Sequence, residues 1–312
     1  MSDLKRFGFC LAWVFCLSGC SSTAYVWQAA KGHAMILMAA RPVDEILAEP
    51  GLTARLRTQL EHSQDIRDFS VSVLNLPDNA SYRRFADLKR RYVVWNVVAT
   101  ETDDLLLKKT CFPVTGCISY LGFYAEEDAL AHADELRNMN LDVAVVGVPA
   151  YSTLGFTADP LLNTFVYLPA GELARLIFHE LSHQVVYIAD DTTFNESFAT
   201  AVEELGVAEW LALSGHEKLA DDYRKFDSKR SYFRTLIAQA RSDLEAIYSS
   251  GLSEAEMLTQ KAQRIDKLRL DYARTKAEQW DGWSGYDKYF KEDLNNAKLA
   301  VSGLYTDYVP AF

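Results

Sequence analysis

The sequence predicts an α+β fold: a small mixed sheet leading into a metal-binding helix, preceded by a helical segment and followed by a mainly helical lobe. Three observations predict it. Runs rich in β-branched and aromatic residues are confined to the middle of the chain, between Tyr92 and Leu168. From about residue 194 onwards the apolar residues recur with helical periodicity, interleaved with charges of both signs. Between these regions lies Leu176–Leu205, where His179-Glu180-Leu181-Ser182-His183 is followed by Glu196, thirteen residues after the second histidine.

The chain begins with a targeting pattern. Lys5-Arg6 precede an apolar run from Phe7 to Leu17, too short to span a bilayer, and Leu17-Ser18-Gly19-Cys20 places small residues before a cysteine. Residues 1–19 therefore read as a lipoprotein signal peptide, with Cys20 as the lipidated residue; a plain secretory signal is the alternative. Ser21 after the cysteine, in place of Asp, resembles an outer-membrane sorting signal. The mature chain is expected to be anchored to the membrane, not inserted. Cys10 and Cys16 fall in the signal, which leaves Cys111 and Cys117. In an oxidising periplasm they are expected to form a disulfide worth roughly 2 kcal/mol by chain entropy. Pro113 and Gly116 favour the turn that it would close. A metal-binding pair is the other reading.

Residues 20–90 form the helical N-terminal segment, broken by a turn at Arg41-Pro42, with Leu52–Leu60 amphipathic and Ile66–Leu76 of mixed period. Arg83-Arg84 and Lys89-Arg90-Arg91 read as a solvated helix face. Residues 91–213 form the core region. Its strands are Tyr92–Thr100, Cys117–Tyr124, Leu141–Val148 and Thr164–Leu168, and Glu126–Met139 is an acidic amphipathic helix. The loop Tyr151–Pro160 joins the last two strands and either lines a cleft or is a plain surface loop. Residues 214–312 form the helical C-terminal region. Ser214-Gly215 ends the helix Phe194–Leu213, and Lys218–Tyr248 and Glu254–Gln279 then make a long hairpin. Trp280, Trp283, Tyr286 and Tyr289 read as core residues beside it.

The chemistry concentrates on His179, His183 and Glu196. The window Glu172–Ala189 holds no Pro or Gly and is apolar at helical spacing, so residues four apart share a face and two imidazoles can aim at one ion. Asp190-Asp191-Thr192-Thr193 supplies N-cap chemistry for a second helix, whose antiparallel return brings Glu196 back towards the histidines. Two histidines and one glutamate leave a fourth position for water, the catalytic pattern for zinc, with one ion expected per chain. Glu180 lies about 100° round the helix, where a carboxylate reaches a metal-bound water without being a ligand. Glu203, two turns after Glu196, is either a partner orienting a ligand histidine or a core-edge carboxylate. Tyr187 and His216 are each either an oxyanion stabiliser or a packing residue.

The net charge of −11, with no basic cluster among aromatics, argues against nucleic acid as a partner. HELSHQVVY followed by DTTFNESFATAVE resembles the bacterial predicted-aminopeptidase family, gluzincin-type HExxH zinc metallopeptidase lipoproteins. The resemblance extends to Cys111–Tyr120, Tyr25–Gly32 and Asn295–Leu299. Family members continue past the position of Pro310-Ala311-Phe312, where this chain stops. The resemblance implies His179, His183 and Glu196 as metal ligands, Glu180 as the catalytic carboxylate, and a thermolysin-like zincin core in which an edge strand pairs with extended peptide. The expected activity is zinc-dependent peptide-bond hydrolysis by an envelope protein facing the periplasm. The alternative is a non-catalytic zinc-binding lipoprotein serving as a binding or assembly module. An exopeptidase also needs carboxylates to hold a free α-ammonium, and Asp190, Asp191, Glu203 and Glu204 are the candidates.

Overall fold

The computed structural model describes residues 25–303, apart from 113–115, 190 and 214. The signal segment, Cys20 and Asp190 therefore lie outside the described residues.

Alternating apolar residues build the central sheet. Strand β3 (Val94–Thr100) runs between β6 (Leu121–Phe123) and β7 (Asp142–Val148), antiparallel to both. Because successive side chains point to opposite faces, Trp95, Val97 and Ala99 pack with Ala129 and Ala133 of α4 (Glu126–Arg137). Val98 and Ala144 meet Ala297 of α10 (Asn296–Val301) on the other face. Two asparagines pin α10 there: Asn295 donates to Val143 O at 2.9 Å, and Asn296 donates to the carbonyls of Glu101, Thr102 and Asp104. A separate hairpin, β4 (Thr110–Phe112) with β5 (Gly116–Ile118), carries the Cys111–Cys117 disulfide between directly opposed residues.

A second small sheet joins the N-terminal part of the chain to the metal-site helix. β1 (Arg41–Pro42) pairs antiparallel with β2 (Arg84–Ala86), which pairs parallel with β8 (Leu161–Leu162). Around it pack a helix covering 25–39 (α1), α2 (Val43–Leu47) and α3 (Ala54–Ser72), together with α5 (Ala170–Ser182) and the far end of α6 (Thr192–Leu211). Leu173, Ile177, Phe178 and Leu181 of α5 are fully buried in this core. The long helices α7 (Glu217–Tyr248) and α8 (Glu254–Glu278) form a hairpin with its own core, in which Trp280 and Phe290 of α9 (Asp287–Lys291) lie against Leu244, Leu268 and Tyr272. A buried Arg230–Glu172 pair, with two contacts of 2.7 and 2.8 Å, ties this hairpin to α5.

The fold is α+β, as the sequence predicts, but several elements differ. Thr164–Leu168 is not a strand. Phe165 and Val166 both donate to Leu162 O, making successive turns that send both neighbouring side chains into the core, whereas a strand would point them to opposite faces. Cys117–Tyr124 is not one strand but two short ones in different sheets. The basic run lies on no helix. Arg84 sits in β2, Lys89 has φ 53°, and Arg90 caps the carbonyls of Tyr124 and Val93. Ile66–Leu76 resolves as helix up to Ser72. Among the described residues no helix is long and apolar enough to cross a membrane.

Candidate metal centre

Two antiparallel helices build the site. α5 is apolar on its buried side and presents His179 to α6 on the other, with Glu180 about 100° round the helix from it, while His183 is its C-cap, still in the helical conformation (φ −61°, ψ −19°). The sequence predicts a helix running on to Ala189, yet α5 stops at Ser182 and Val185–Ile188 passes along the surface. Asn195 holds that connection, accepting from Ile188 N at 2.8 Å and donating to Ile188 O at 2.7 Å. Asp191 caps α6 through Phe194 N. These local bonds turn the chain back, so that Glu196 in the first turns of α6 meets His179 and His183.

The donor atoms of His179, His183 and Glu196 all lie within 4.8 Å of one another. Two donors each about 2.0–2.1 Å from one divalent cation at a tetrahedral angle stand about 3.3 Å apart. The Glu196 carboxylate is 3.2 Å from His179 Nε2 and 3.7 Å from His183 Nε2. These three residues could therefore hold a metal ion. His179 is oriented from behind: Nδ1 lies 2.9 Å from Glu203 Oε2, and Glu203, only 1% exposed, is ion-paired through its other oxygen with Arg175. This is the arrangement by which a carboxylate fixes the tautomer and aim of a ligand histidine. His183 differs, because its Nδ1 is buried without a hydrogen-bond partner among the described residues.

The electrostatics follow from crowding carboxylates in a partly dry space. Burial pushes the Glu180 carboxyl up to about 7; charge on His179 opposes this, and the carboxylates Glu196, Asp159 and Glu203 reinforce it. Burial lowers His179, but hydrogen bonds that its ring donates to Glu196 and Glu203, with the negative field, outweigh it and raise the imidazole to about 10. His183 is lowered to about 4 by burial and then by the charge on His179. With protons alone in the site, His179 carries the positive charge that a metal would otherwise bring.

The loop Tyr151–Pro160 packs against the end of α5 that carries the site. Ser152 Oγ reaches Glu180 O at 3.5 Å, and the buried Asp159 accepts from Thr153 N and Thr153 Oγ1, both at 2.8 Å. His33 of α1 joins this loop through Tyr151 Oη (2.5 Å) and Thr157 Oγ1 (3.1 Å). On the other side Gln184, just past His183, bonds Asn79 and Ser81, in a loop organised by the buried Arg67.

Other candidates stand elsewhere. His216 is not an oxyanion residue. Its Nδ1 lies 2.9 Å from Trp210 O and its ring rests on the indole, fourteen residues and about 21 Å along α6 from Glu196. Tyr187 is not on the helix face that its spacing implies. It is 55% exposed on the connection, within electrostatic reach of Tyr120. Asp191 is spent as a cap, and Glu204 faces Arg234 at 3.5 Å. Three neighbours of the site are given no individual role by the sequence reading. Asp159 acts electrostatically on Glu180, both carboxylates act on the fully buried Tyr82, and Tyr82 Oη has no hydrogen-bond partner among the described residues. Tyr120, next to β6, lies in the field of Glu196 and Glu180, and loss of solvent around its hydroxyl raises its pKa. No spacing rule links residues 82, 120 and 159 to residue 180; only the left-handed φ of Tyr82 (62°) marks one of them as unusual.

Comparison with protein families decides the kinship. The family described as "Putative aminopeptidase" matches residues 24–312. The chain belongs to that family. No curated protein and no solved structure matches it. Family membership makes peptidase activity the reading against which the site is judged.

Proposed function

We propose that this protein is a zinc metallopeptidase of the bacterial cell envelope, anchored by lipid on Cys20 and facing the periplasm. The observation that carries the proposal is the convergence of His179, His183 and Glu196 from two antiparallel helices, with Glu180 beside them. Two imidazoles and one carboxylate suit zinc better than calcium or magnesium, which favour all-oxygen sites. In this reading the α5–α6 pair is the metal-binding half of a thermolysin-like zincin.

Zinc, when bound, would supply Lewis acidity, polarising the scissile carbonyl and acidifying a water molecule. His179, His183 and Glu196 hold the ion, and Glu203 keeps His179 aimed. Glu180 accepts the proton that the attacking water gives up and returns it to the leaving amine, so that one water is consumed and a carboxylate and an amine are produced. The loop Tyr151–Pro160 and the Asn79–Ser81 segment flank the metal helix, where peptide would lie.

Incubation of the mature chain with a mixed peptide library, beside Glu180→Gln, tests this. The wild type is expected to generate new termini, and Glu180→Gln to lose about 10²–10⁴-fold in rate while retaining zinc. The position of the new termini reports whether single amino-terminal residues are removed. Zinc retained by both proteins with cleavage by neither would favour the binding module instead.

A further inference from the structure

Helix α1 is apolar on the side that faces away from the protein. Its inner side is attached by both polar and apolar contacts: Gln28 donates to Gly122 O (3.0 Å) and accepts from Tyr124 N (3.2 Å), His33 reaches the site loop, and Ile36 enters the core. The outer side exposes Val26, Trp27 (71% exposed), Met35, Met38 (77%) and three alanines, with Lys31 the charged residue among them. On a helix, Trp27, Lys31, Met35 and Met38 fall within an arc of about 80°. A single lysine on such a stripe can lay its stem along apolar surface and keep its ammonium in water.

The chain ahead of α1 indicates what covers this stripe. Tyr25 follows Cys20 by five residues, which even fully extended reach about 17 Å. If Cys20 carries lipid, α1 cannot leave the neighbourhood of the headgroups. We propose that the outer face of α1 lies in the plane of the bilayer interface, with Trp27, Met35 and Met38 inserted at the boundary between headgroups and acyl chains. The proposal rests on the lipid-anchor reading. With a net charge of −11 and one cation on the stripe, attraction to anionic lipid is not the driving force; apolar burial is, as for other in-plane helices. Because α1 is bonded to β6 and to the Tyr151–Thr157 loop, docking would also set the orientation of the metal centre relative to the membrane.

The test uses the acylated mature chain in phosphatidylcholine vesicles with brominated acyl chains. With the signal removed, Cys20 acylated and Cys111–Cys117 bonded, Met35→Cys provides a free thiol for an environment-sensitive dye. Leu270→Cys, at a position 70% exposed on α8, is the control. Quenching is expected to be at least about threefold stronger at position 35 than at 270, and unchanged when salt is raised to a Debye length of about 4 Å. Equal quenching at the two positions overturns the docking face. So does a dye at position 35 that is shielded from bromine in particles of twice the mass, since a second copy would then cover the stripe. Mass spectrometry of the same chain reads Cys20 separately. An unacylated Cys20 sinks the anchor and the docking face together, whereas an acylated chain with an unquenched dye sinks the docking face alone.

Discussion

The metal centre and the α7–α8 hairpin both bury charge, but they treat it in opposite ways. In the hairpin cations lie against single carboxylates: Lys261 with Asp142 at 2.6 Å, Arg264 with Asp243 at 2.6 Å, Lys276 with Asp287 at 2.8 Å, although Nε of Arg230 and Arg241 and Nη1 of Arg264 lack hydrogen-bond partners among the described residues. At the centre, the carboxylates Glu180, Glu196, Glu203 and Asp159 crowd together, Arg175 pairs with Glu203, and Tyr82 Oη and His183 Nδ1 are left unsatisfied. Paired charges in the first region hold the fold. Like charges in the second fit the proposal that a cation sits among them, and perturbed groups of this kind mark functional sites.

Five substitutions or conditions would break or sharpen this contrast. The largest effect on stability should come from the hairpin. Lys261→Met leaves Asp142 buried without its ammonium, and roughly 3 kcal/mol should be lost. Chemical denaturation measures this, and zinc affinity should not move. At the centre the reverse is expected: Glu203→Gln frees His179 from its orienting carboxylate, weakening zinc about 10–100-fold in chelator competition with a smaller change in stability.

Acidity gives the next test. The His179 imidazole, raised to about 10 by its carboxylate neighbours, must lose its proton before it can bind metal. Because the metal-free site holds that proton, zinc affinity should rise with pH, by close to tenfold per unit between about pH 7 and 9, and fall as the solution is acidified. Calorimetry in two buffers of different ionisation enthalpy should detect about one proton released per zinc. The same raised pKa acts oppositely on the stability of the metal-free chain. The contribution is fully present below the ordinary histidine value of 6.5 and is lost as pH rises through about 10.

The smallest expected effect compares two phenols. Tyr82→Phe removes an unsatisfied buried hydroxyl and should stabilise the fold by about 1 kcal/mol, whereas Tyr272→Phe removes one bonded to Asp287 at 2.6 Å and should destabilise it by about as much. Thermal denaturation of the pair reads both signs.

The parts of the site legible in the sequence are those set by local periodicity. Four-residue spacing brings His179 and His183 to one face, the Asp191 cap starts α6, and seven-residue spacing puts Glu196 and Glu203 on one side. The C-terminal hairpin and its aromatic core were legible for the same reason. Where the prediction fails, tertiary packing overrides local preference. Val185, Tyr187 and Ile188 read as more helix, yet Asn195, from the next element, draws the chain out of α5 by bonding both backbone groups of Ile188. Thr164–Leu168 has strand composition, but Phe165 and Val166 enter the core together from consecutive turns. Asp159, Tyr82 and Tyr120 approach Glu180 from three distant loops, and no spacing in the chain encodes that meeting.

The central claim is that His179, His183 and Glu196 together hold one zinc ion. Elemental analysis of the mature chain combined with X-ray absorption at the zinc edge tests it most directly. The account predicts about one zinc per chain, with a shell of two imidazole nitrogens and carboxylate or water oxygens at about 2.0–2.1 Å. A chain from zinc-replete cells that carries no metal, or a zinc shell without imidazole, would contradict it.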